Sequence, residues 1–375
     1  MSPVLEEHLD YLSDSVRTDL YRRAVATAIR PGDCVVDVGC GFGPLGLMCL
    51  EAGAAHVYGI DHSAAIEFAR ETMRRAGLAD RYTCIDASSF AAQLPERVDV
   101  VICDHVGYLG FDYGLLALMA DAVRRFLKPG GRVIPMELTL GIAGVASAET
   151  ASAAAAWTAP TMPSALAWID APHRNAKKAR VLPASAFGTA PATLGTFDLA
   201  RPTAPDHLRF TAEVEAQRDA DLDGLGGWFS SHLAPGVVMT NSPFAADRIG
   251  RPNAYLPLTA PLAVRAGDRI RIDLSARPRD EVITWSAQNL RTGERRRQST
   301  FNAAPLSAND LVPIEQRRPR LRDESRAAAI VMGYVDGART RGDIVAAVAA
   351  EHPDVVPAGG SVAELVARVL RRHAQ

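Results

Sequence analysis

Two aspartates bracket a glycine-containing turn in Cys103-Asp104-His105-Val106-Gly107-Tyr108-Leu109-Gly110-Phe111-Asp112-Tyr113, with three aromatic side chains around them. Paired carboxylates beside aromatic faces suit the clamping of a cationic or amine group. The plainer alternative is that Asp104 caps the turn and Asp112 caps a helix starting near Leu115. Between them, His105 is either a general base titrating near neutral pH or a loop residue packed at a domain interface. Upstream, Val35-Val36-Asp37-Val38-Gly39-Cys40-Gly41-Phe42-Gly43-Pro44-Leu45-Gly46 joins a β-branched run to a helical pattern through alternate glycines. That is a strand, a tight turn and a helix, with backbone that a ligand can approach closely. The next strand pattern ends on Asp61, about where a nucleotide-binding βαβ unit places the carboxylate that takes ribose hydroxyls.

The spacing Asp37-x-Gly39-x-Gly41-x-Gly43 departs from the dinucleotide pattern G-x-G-x-x-G. Pro44 follows the third glycine, and no glycine is expected to close the helix–sheet contact. That points to S-adenosylmethionine as cofactor, with S-adenosylhomocysteine as product, rather than NAD. Asp37, Gly39, Gly41, Gly43 and Asp61 are the candidate contacts. His62 lies next to Asp61, and Asp86 and Ser88 follow the third strand, where a carboxylate or hydroxyl can accept from the adenine amino group; a capping role for Asp86 and an exposed helix position for His62 are the plainer readings. Attack on the methyl of a sulfonium needs an in-line approach and neither metal nor covalent intermediate, so positioning carries the catalysis. Ligands of doubly wound sheets sit beyond the carboxyl ends of the strands, where the 103–113 loop belongs.

The elements that must position these groups are legible as a regular alternation. Strands are expected at 34–38, 55–60, 82–86, 98–103 and 131–140, with helices at Ala64–Ala76 and Leu115–Phe126 and a turn at Lys128-Pro129-Gly130-Gly131. A helix over 5–28 carries Leu9, Leu12, Val16, Leu20 and Ala24 on one face. This is an α/β, doubly wound, Rossmann-like domain over residues 1–140. From 141 to 305 the chain turns to short alternating runs at 208–214, 236–240, 255–258, 269–274 and 282–287, after an alanine run at 148–156; this predicts a β-rich, barrel-like substrate domain. Residues 306–375 open with a polar linker bearing Arg317-Arg318-Pro319-Arg320 and Arg322. Helices then follow at Glu324–Tyr334, Thr340–Glu351 and Ser361–Arg372. The segment Gly333 to Ile344 looks like the winged-helix peptide-binding modules that accompany peptide-modifying enzymes, with plain helical packing or an oligomerisation element as the alternative.

A chain of 375 residues exceeds one ordinary core. Its net charge of −2 gives no reason to expect a nucleic-acid or membrane surface. The five cysteines, Cys34, Cys40, Cys49, Cys84 and Cys103, form no CxxC pair and fit reduced thiols in a cytoplasmic protein. The polar N-terminus lacks a signal-peptide core.

Over roughly residues 8–300 the chain resembles the protein arginine N-methyltransferases. Val35–Gly46 resembles their first motif, Gly59-Ile60-Asp61 their ribose site, and Asp99–Asp112 their substrate loop with two acidic residues. Leu12-Ser13-Asp14-Ser15-Val16-Arg17-Thr18 resembles their cofactor-capping helix, which implies that Arg17 meets the methionyl carboxylate. Gly227-Trp228-Phe229 and Thr240-Asn241-Ser242-Pro243 through Tyr255-Leu256 resemble their barrel. The chain departs from the family where its two loop glutamates become Asp104 and Asp112, and where Asp247-Arg248-Ile249 replaces the Thr-His-Trp motif. The segment 157–200 is also short for the family's dimerisation arm.

The resemblance and the residues together imply an N-methyltransferase acting on a guanidino or amino group, free or in a peptide. Asp104, Asp112 and His105 are the catalytic candidates, and Tyr108, Trp228 and His232 the substrate contacts. Two alternatives stay open: tailoring of another small molecule or peptide with His105 as base, and a cofactor-binding scaffold without turnover. A homodimer is compatible with either.

Overall fold

The computed structural model describes residues 3–280, 282–305, 318, 320–321, 323–356 and 360–373. Contacts divide the chain into two compact units, 1–305 and 306–375.

The first unit begins with two helices, α1 (Pro3–Ser13) and α2 (Ser15–Ala28), where the sequence pattern reads as one. The break falls at Asp14, whose side chain accepts the Arg17 N–H at 3.1 Å and caps α2. The predicted apolar face divides there too: Leu20 and Ala24 are buried, whereas Leu9, Leu12 and Val16 are exposed.

There follow β1 (Cys34–Val38), α3 (Pro44–Glu51), β2 (His56–Asp61), α4 (Ala65–Arg75), β3 (Tyr82–Asp86), β4 (Val98–Cys103), α5 (Leu115–Phe126) and β5 (Leu127–Ile134). The strands form a parallel sheet in the order β3-β2-β1-β4-β5. The order reverses at β1, so the carboxyl ends of β1 and β4 flank the crevice in which such sheets bind ligands. The predicted Lys128–Gly131 turn is instead part of β5, and Gly130 adopts a left-handed φ of 74° within it. The single strand expected over 131–140 is two, parted at Pro135. The second leaves the parallel sheet.

That second strand, β6 (Glu137–Val145), starts the barrel-like part. It continues through α6 (Ala148–Ala154), α7 (Asp170–Arg174), β7 (Lys178–Arg180), β8 (Ala192–Asp198), β9 (Leu208–Glu215), β10 (Ala220–Ala234), β11 (Val237–Thr240), β12 (Asn253–Val264), β13 (Arg269–Arg277), β14 (Val282–Asn289) and β15 (Arg295–Ser299). One antiparallel sheet runs β7-β12-β10-β6-β8, with β11 on β10, and the other runs β15-β14-β13-β9. The pattern-based strands miss β10, the longest, because it is buried on both faces for most of its length and so lacks alternation. One apolar core runs from Val35, Val101 and Ile134 through Leu109 and Phe111 to Leu138, Phe229 and Trp285. The parallel sheet, the acid-bearing loop and the barrel therefore share packing.

The second unit consists, among the described residues, of α8 (Asp323–Met332), α9 (Arg341–Glu351), α10 (Val362–His373) and a short 3-10 turn, with no strand. Ala327, Val331, Ile344, Val348, Leu365, Val366 and Val369 form its core. Thr340 and Asp343 form a reciprocal capping box at the start of α9, as their spacing predicts. Arg317, Pro319 and Arg322 of the basic run lie outside the described residues.

Among the described residues no helix is long and apolar enough to cross a membrane, and no group of three or more His, Cys, Asp or Glu side chains is placed to hold a metal ion.

Candidate active site

The turn after β1 explains its own composition. Gly39, Gly41 and Gly43 all have left-handed φ, at 72°, 54° and 81°. Side chains there would be strained, and a Cβ on Gly39 or Gly41 would also run into the ring of His105 or His8. Gly46 corrects the expectation that no glycine closes the helix–sheet contact. It sits in α3 against Val57 and Tyr82, and completes Gly41-x-Gly43-x-x-Gly46. Asp37 is buried beneath the turn and accepts the Gly46 N–H at 3.0 Å. Burial pushes its carboxyl up to about 7, against the pull of that hydrogen bond.

Asp61 stands at the end of β2. One carboxylate oxygen accepts the Gly41 N–H at 2.9 Å, and the other accepts the Ser63 N–H at 2.8 Å and the Ser63 hydroxyl at 2.7 Å. A cavity of about 550 Å³ opens here, lined among others by Gly39, Asp61, His62, Ser88, His105 and Tyr113. Asp86 pairs with Asp61 in register and is exposed beside this cavity, whereas Ser88 lines it. The residues fit an S-adenosyl cofactor: a backbone turn with no room for side chains, and a carboxylate with acceptor capacity to spare for ribose hydroxyls.

Asp104, directly after β4, caps nothing. One oxygen accepts the Tyr21 hydroxyl at 2.5 Å, and the other is ion-paired with Arg17. Both charged side chains are about nine-tenths buried, with 12% and 11% exposure. The Arg17 guanidinium also donates to the Tyr11 carbonyl at 3.2 Å and lies over the rings of Tyr11 and Tyr21. Burial lowers the Arg17 pKa and raises that of Tyr21.

Asp112 does not cap α5 either, whose N-terminal cap is Gly114. Its side chain folds back to accept the Leu109 N–H at 3.0 Å and is ion-paired with Lys177, at 3% exposure. A Cβ at Gly107 would collide with this carboxylate, which accounts for glycine there. The loop is tied to the barrel by Asn241, fully buried, whose amide donates to the Tyr108 carbonyl at 3.0 Å and to the Pro252 carbonyl at 2.8 Å. A second cavity of about 630 Å³ is lined by Tyr11, Asp14, Arg17, Tyr108, Tyr113, Arg251 and neighbouring residues. Tyr113 lines both cavities; Asp104 and Asp112 line neither, standing behind Arg17 and the Tyr108 turn.

Of the other candidates, His105 lies against Gly39 in the first cavity, its Nδ1 4.0 Å from the Cys103 sulfur. Trp228 is buried in a barrel cluster with Phe187 and Tyr255. His232 is half exposed near Glu137, at 3.8 Å. Neither lines a cavity described here. Tyr21, Lys177 and the role of Asn241 escape the sequence reading. Tyr21 alone had a local signal, four residues after Arg17 on the same helix.

Residues 35–131 match the family described as "Methyltransferase domain". The chain is 35% identical over 140 residues to the probable protein arginine N-methyltransferase 6 of Arabidopsis thaliana, covering 37% of this chain and 32% of that one. It is 35% identical over 145 residues to protein arginine N-methyltransferase 1 of Schizosaccharomyces pombe, covering 38% and 43%. The chain thus spans about a third to two fifths of the length of the curated relatives it matches. Its structure is similar to a solved Trypanosoma brucei PRMT1 enzyme–prozyme heterotetrameric complex with AdoHcy, with a TM-score of 0.69 and 23% identity over 78% of this chain and 96% of that one. It is also similar to Arabidopsis thaliana protein arginine methyltransferase 10 in an open conformation, with a TM-score of 0.67 and 20% identity over 79% and 98%. The chain therefore carries a methyltransferase domain and has the fold of the protein arginine N-methyltransferases.

Proposed function

We propose that the chain is an S-adenosylmethionine-dependent N-methyltransferase whose acceptor is a guanidino or amino group, free or in a peptide. The observation that carries this reading is that Tyr113 lines two cavities, one against Gly39 and Asp61, the other beside the loop that bears Asp104 and Asp112. When bound, the cofactor supplies an electrophilic methyl on a sulfonium sulfur.

Asp61 takes the ribose hydroxyls, already oriented by Gly41 and Ser63. Ser88 and His62 border the same cavity. Asp104 and Asp112 each retain acceptor lone pairs beyond those their partners use. The acceptor lies against Tyr108, Tyr113 and Arg17 in the second cavity, and the two carboxylates act on it from behind Arg17 and the Tyr108 turn. Tyr21, Arg17 and the Leu109 N–H hold these carboxylates still. His105, against the glycine turn, closes the cofactor side.

The same reading places the protein in the cytoplasm, supported by five free cysteines. It is also compatible with a homodimer, supported by exposed Leu166 and Trp168 in the segment that stands, shortened, where the family has its dimerisation arm, and by the assembly of the trypanosome neighbour.

Calorimetric titration with S-adenosylhomocysteine, on the wild type and on Asp61→Ala, tests the cofactor half; the variant is expected to bind at least about tenfold more weakly. A labelled-methyl assay over arginine, arginine peptides and amines tests the acceptor half. Absence of binding in the wild type overturns the whole reading, and binding with no labelled product from any acceptor overturns the activity.

A further inference from the structure

Two arginines line the second cavity, and only one of them has its charge matched. Arg17 is ion-paired with Asp104. Arg251, half-buried, has its guanidinium over the rings of Tyr11 and Tyr113, 5.0 and 5.6 Å from their centroids, and donates to the neutral Tyr11 hydroxyl at 2.6 Å. Among the described residues no carboxylate is ion-paired with it. The two acids that line the cavity are placed otherwise. Asp14 gives one oxygen to the Arg17 N–H and the other to the Gly250 N–H, and Asp10 is exposed on α1.

Arg251 is also held in place. It lies between β11 and β12, where the Ile249 N–H donates to the Thr240 carbonyl at 2.9 Å, the Gly250 N–H donates to Asp14 at 2.7 Å, and the Pro252 carbonyl accepts from Asn241 at 2.8 Å. The main chain is thus anchored on both sides of the arginine, and two aromatic rings pack against its head. A guanidinium carries five N–H donors in a rigid fork. Tyr11 takes one, which leaves a cavity-lining cation with donors for a group from outside the chain.

What such a fork takes best is a carboxylate, in paired charge-assisted hydrogen bonds. In the reading above, the guanidino group of the acceptor enters this same cavity, against Tyr108, Tyr113 and Arg17. It brings a positive charge up to Arg251, and a carboxylate carried beside it on the same molecule offsets that repulsion.

We infer that Arg251 is a specificity-determining residue that binds a carboxylate of the acceptor, so that the site selects a peptide with an acid next to its arginine. The acid is the C-terminal carboxylate of the peptide or the side chain of a neighbouring aspartate or glutamate. This rests on the methyl-transfer reading of the same cavity.

The test uses the full-length protein and three peptides that each carry one arginine: amidated with neutral neighbours, amidated with an aspartate after the arginine, and ending in the arginine as a free acid. Equilibrium affinity is read in the presence of S-adenosylhomocysteine, and kcat/KM beside it. At least one acid-bearing peptide binds the wild type about tenfold or more tightly than the neutral one. Arg251→Gln, which retains a donor for Tyr11, brings that ratio close to one. Arg251→Lys, with the charge but not the fork, keeps part of it. S-adenosylhomocysteine affinity is measured on each variant without peptide.

The peptide that shows the advantage tells a chain terminus from an acidic side chain. Equal affinity for all three peptides, an advantage that survives Arg251→Gln, or no measurable affinity for any of them overturns the inference. So does a folded Arg251→Gln variant that no longer binds S-adenosylhomocysteine, which assigns the guanidinium to the cofactor instead. An acid preference that depends on Arg251, without turnover in any form, supports the assignment and overturns methyl transfer.

Discussion

The two halves of the site are built in opposite ways. On the cofactor side the contacts are local and largely made by backbone: Asp37 reaches Gly46 across 9 positions and Asp61 reaches Gly41 across 20. On the acceptor side they are distant and made by side chains. Tyr21 reaches Asp104 across 83 positions, Lys177 reaches Asp112 across 65, and Asn241 reaches the Tyr108 carbonyl across 133. Under the proposed function, a donor common to a whole class of reactions is held by a motif that folds on itself, whereas the acceptor is placed by pieces that only the finished fold brings together. Substrate choice can therefore change by substitution far from the turn, leaving the donor site untouched.

The largest effect expected from this contrast lies beneath the turn. Asp37 has an ordinary value of 3.8, raised to about 7 in the folded protein by burial. The folded state thus keeps a proton that the unfolded chain has lost. Stability falls as pH rises from about 4 to about 7 and is level above that, a total of about 4 kcal/mol. Asp37→Asn retains an acceptor for the Gly46 N–H but cannot titrate, so its stability relative to the wild type rises across that window. Denaturant unfolding at about pH 4.5 and about pH 8 measures this, and parallel pH courses for the two proteins would exclude Asp37 as the cause.

Next in size is Gly107→Ala, which pushes a methyl group into the Asp112 carboxylate. Displacing that acid is expected to cost about a hundredfold in kcat/KM. Because the two halves are built separately, affinity for S-adenosylhomocysteine should stay within about threefold. A matching loss of cofactor affinity breaks the division. Tyr21→Phe removes one of the two partners that aim Asp104 and leaves Arg17 in place. It should lower kcat by about tenfold, the worth of one hydrogen bond to a charged group, and an unchanged kcat would show that Arg17 alone suffices. The smallest effect belongs to the second unit. Thr340→Ala should shift its unfolding equilibrium by about fivefold through loss of the cap, read by hydrogen exchange in α9. Cofactor affinity should not change, and a change would tie the helical unit to the catalytic one.

The same contrast explains what could be read in advance. The parallel sheet, its helices and the turn were legible because each rests on short-range periodicity and on glycines with a backbone reason. Gly46 was misjudged because its purpose, room for Tyr82 and Val57, depends on two strands further along the chain. Asp104 and Asp112 were visible as acids, but the cap roles weighed for them are not what they do. Their partners Arg17 and Lys177 carry no mark of pairing in the sequence, and Tyr21 has only its place four residues after Arg17 on one helix. Only the family likeness singles out Arg17, which meets Asp104 in this structure. β10 was missed for a related reason, since a strand buried on both faces loses the alternation that announces strands elsewhere.

Asn241 has a consequence for how finely the acceptor can be placed. One buried amide pins the loop to the barrel through Tyr108 and Pro252, while its oxygen accepts the Phe229 N–H at 2.8 Å and the Asn241 main-chain carbonyl accepts the Asn253 side-chain N–H at 2.7 Å. The loop thus inherits its alignment from the barrel wall, as a jig inherits its accuracy from the bench to which it is bolted. A designer who wished to re-aim the proposed acceptor need not redraw the loop; shimming the wall around Asn241 would tilt the whole platform by small steps.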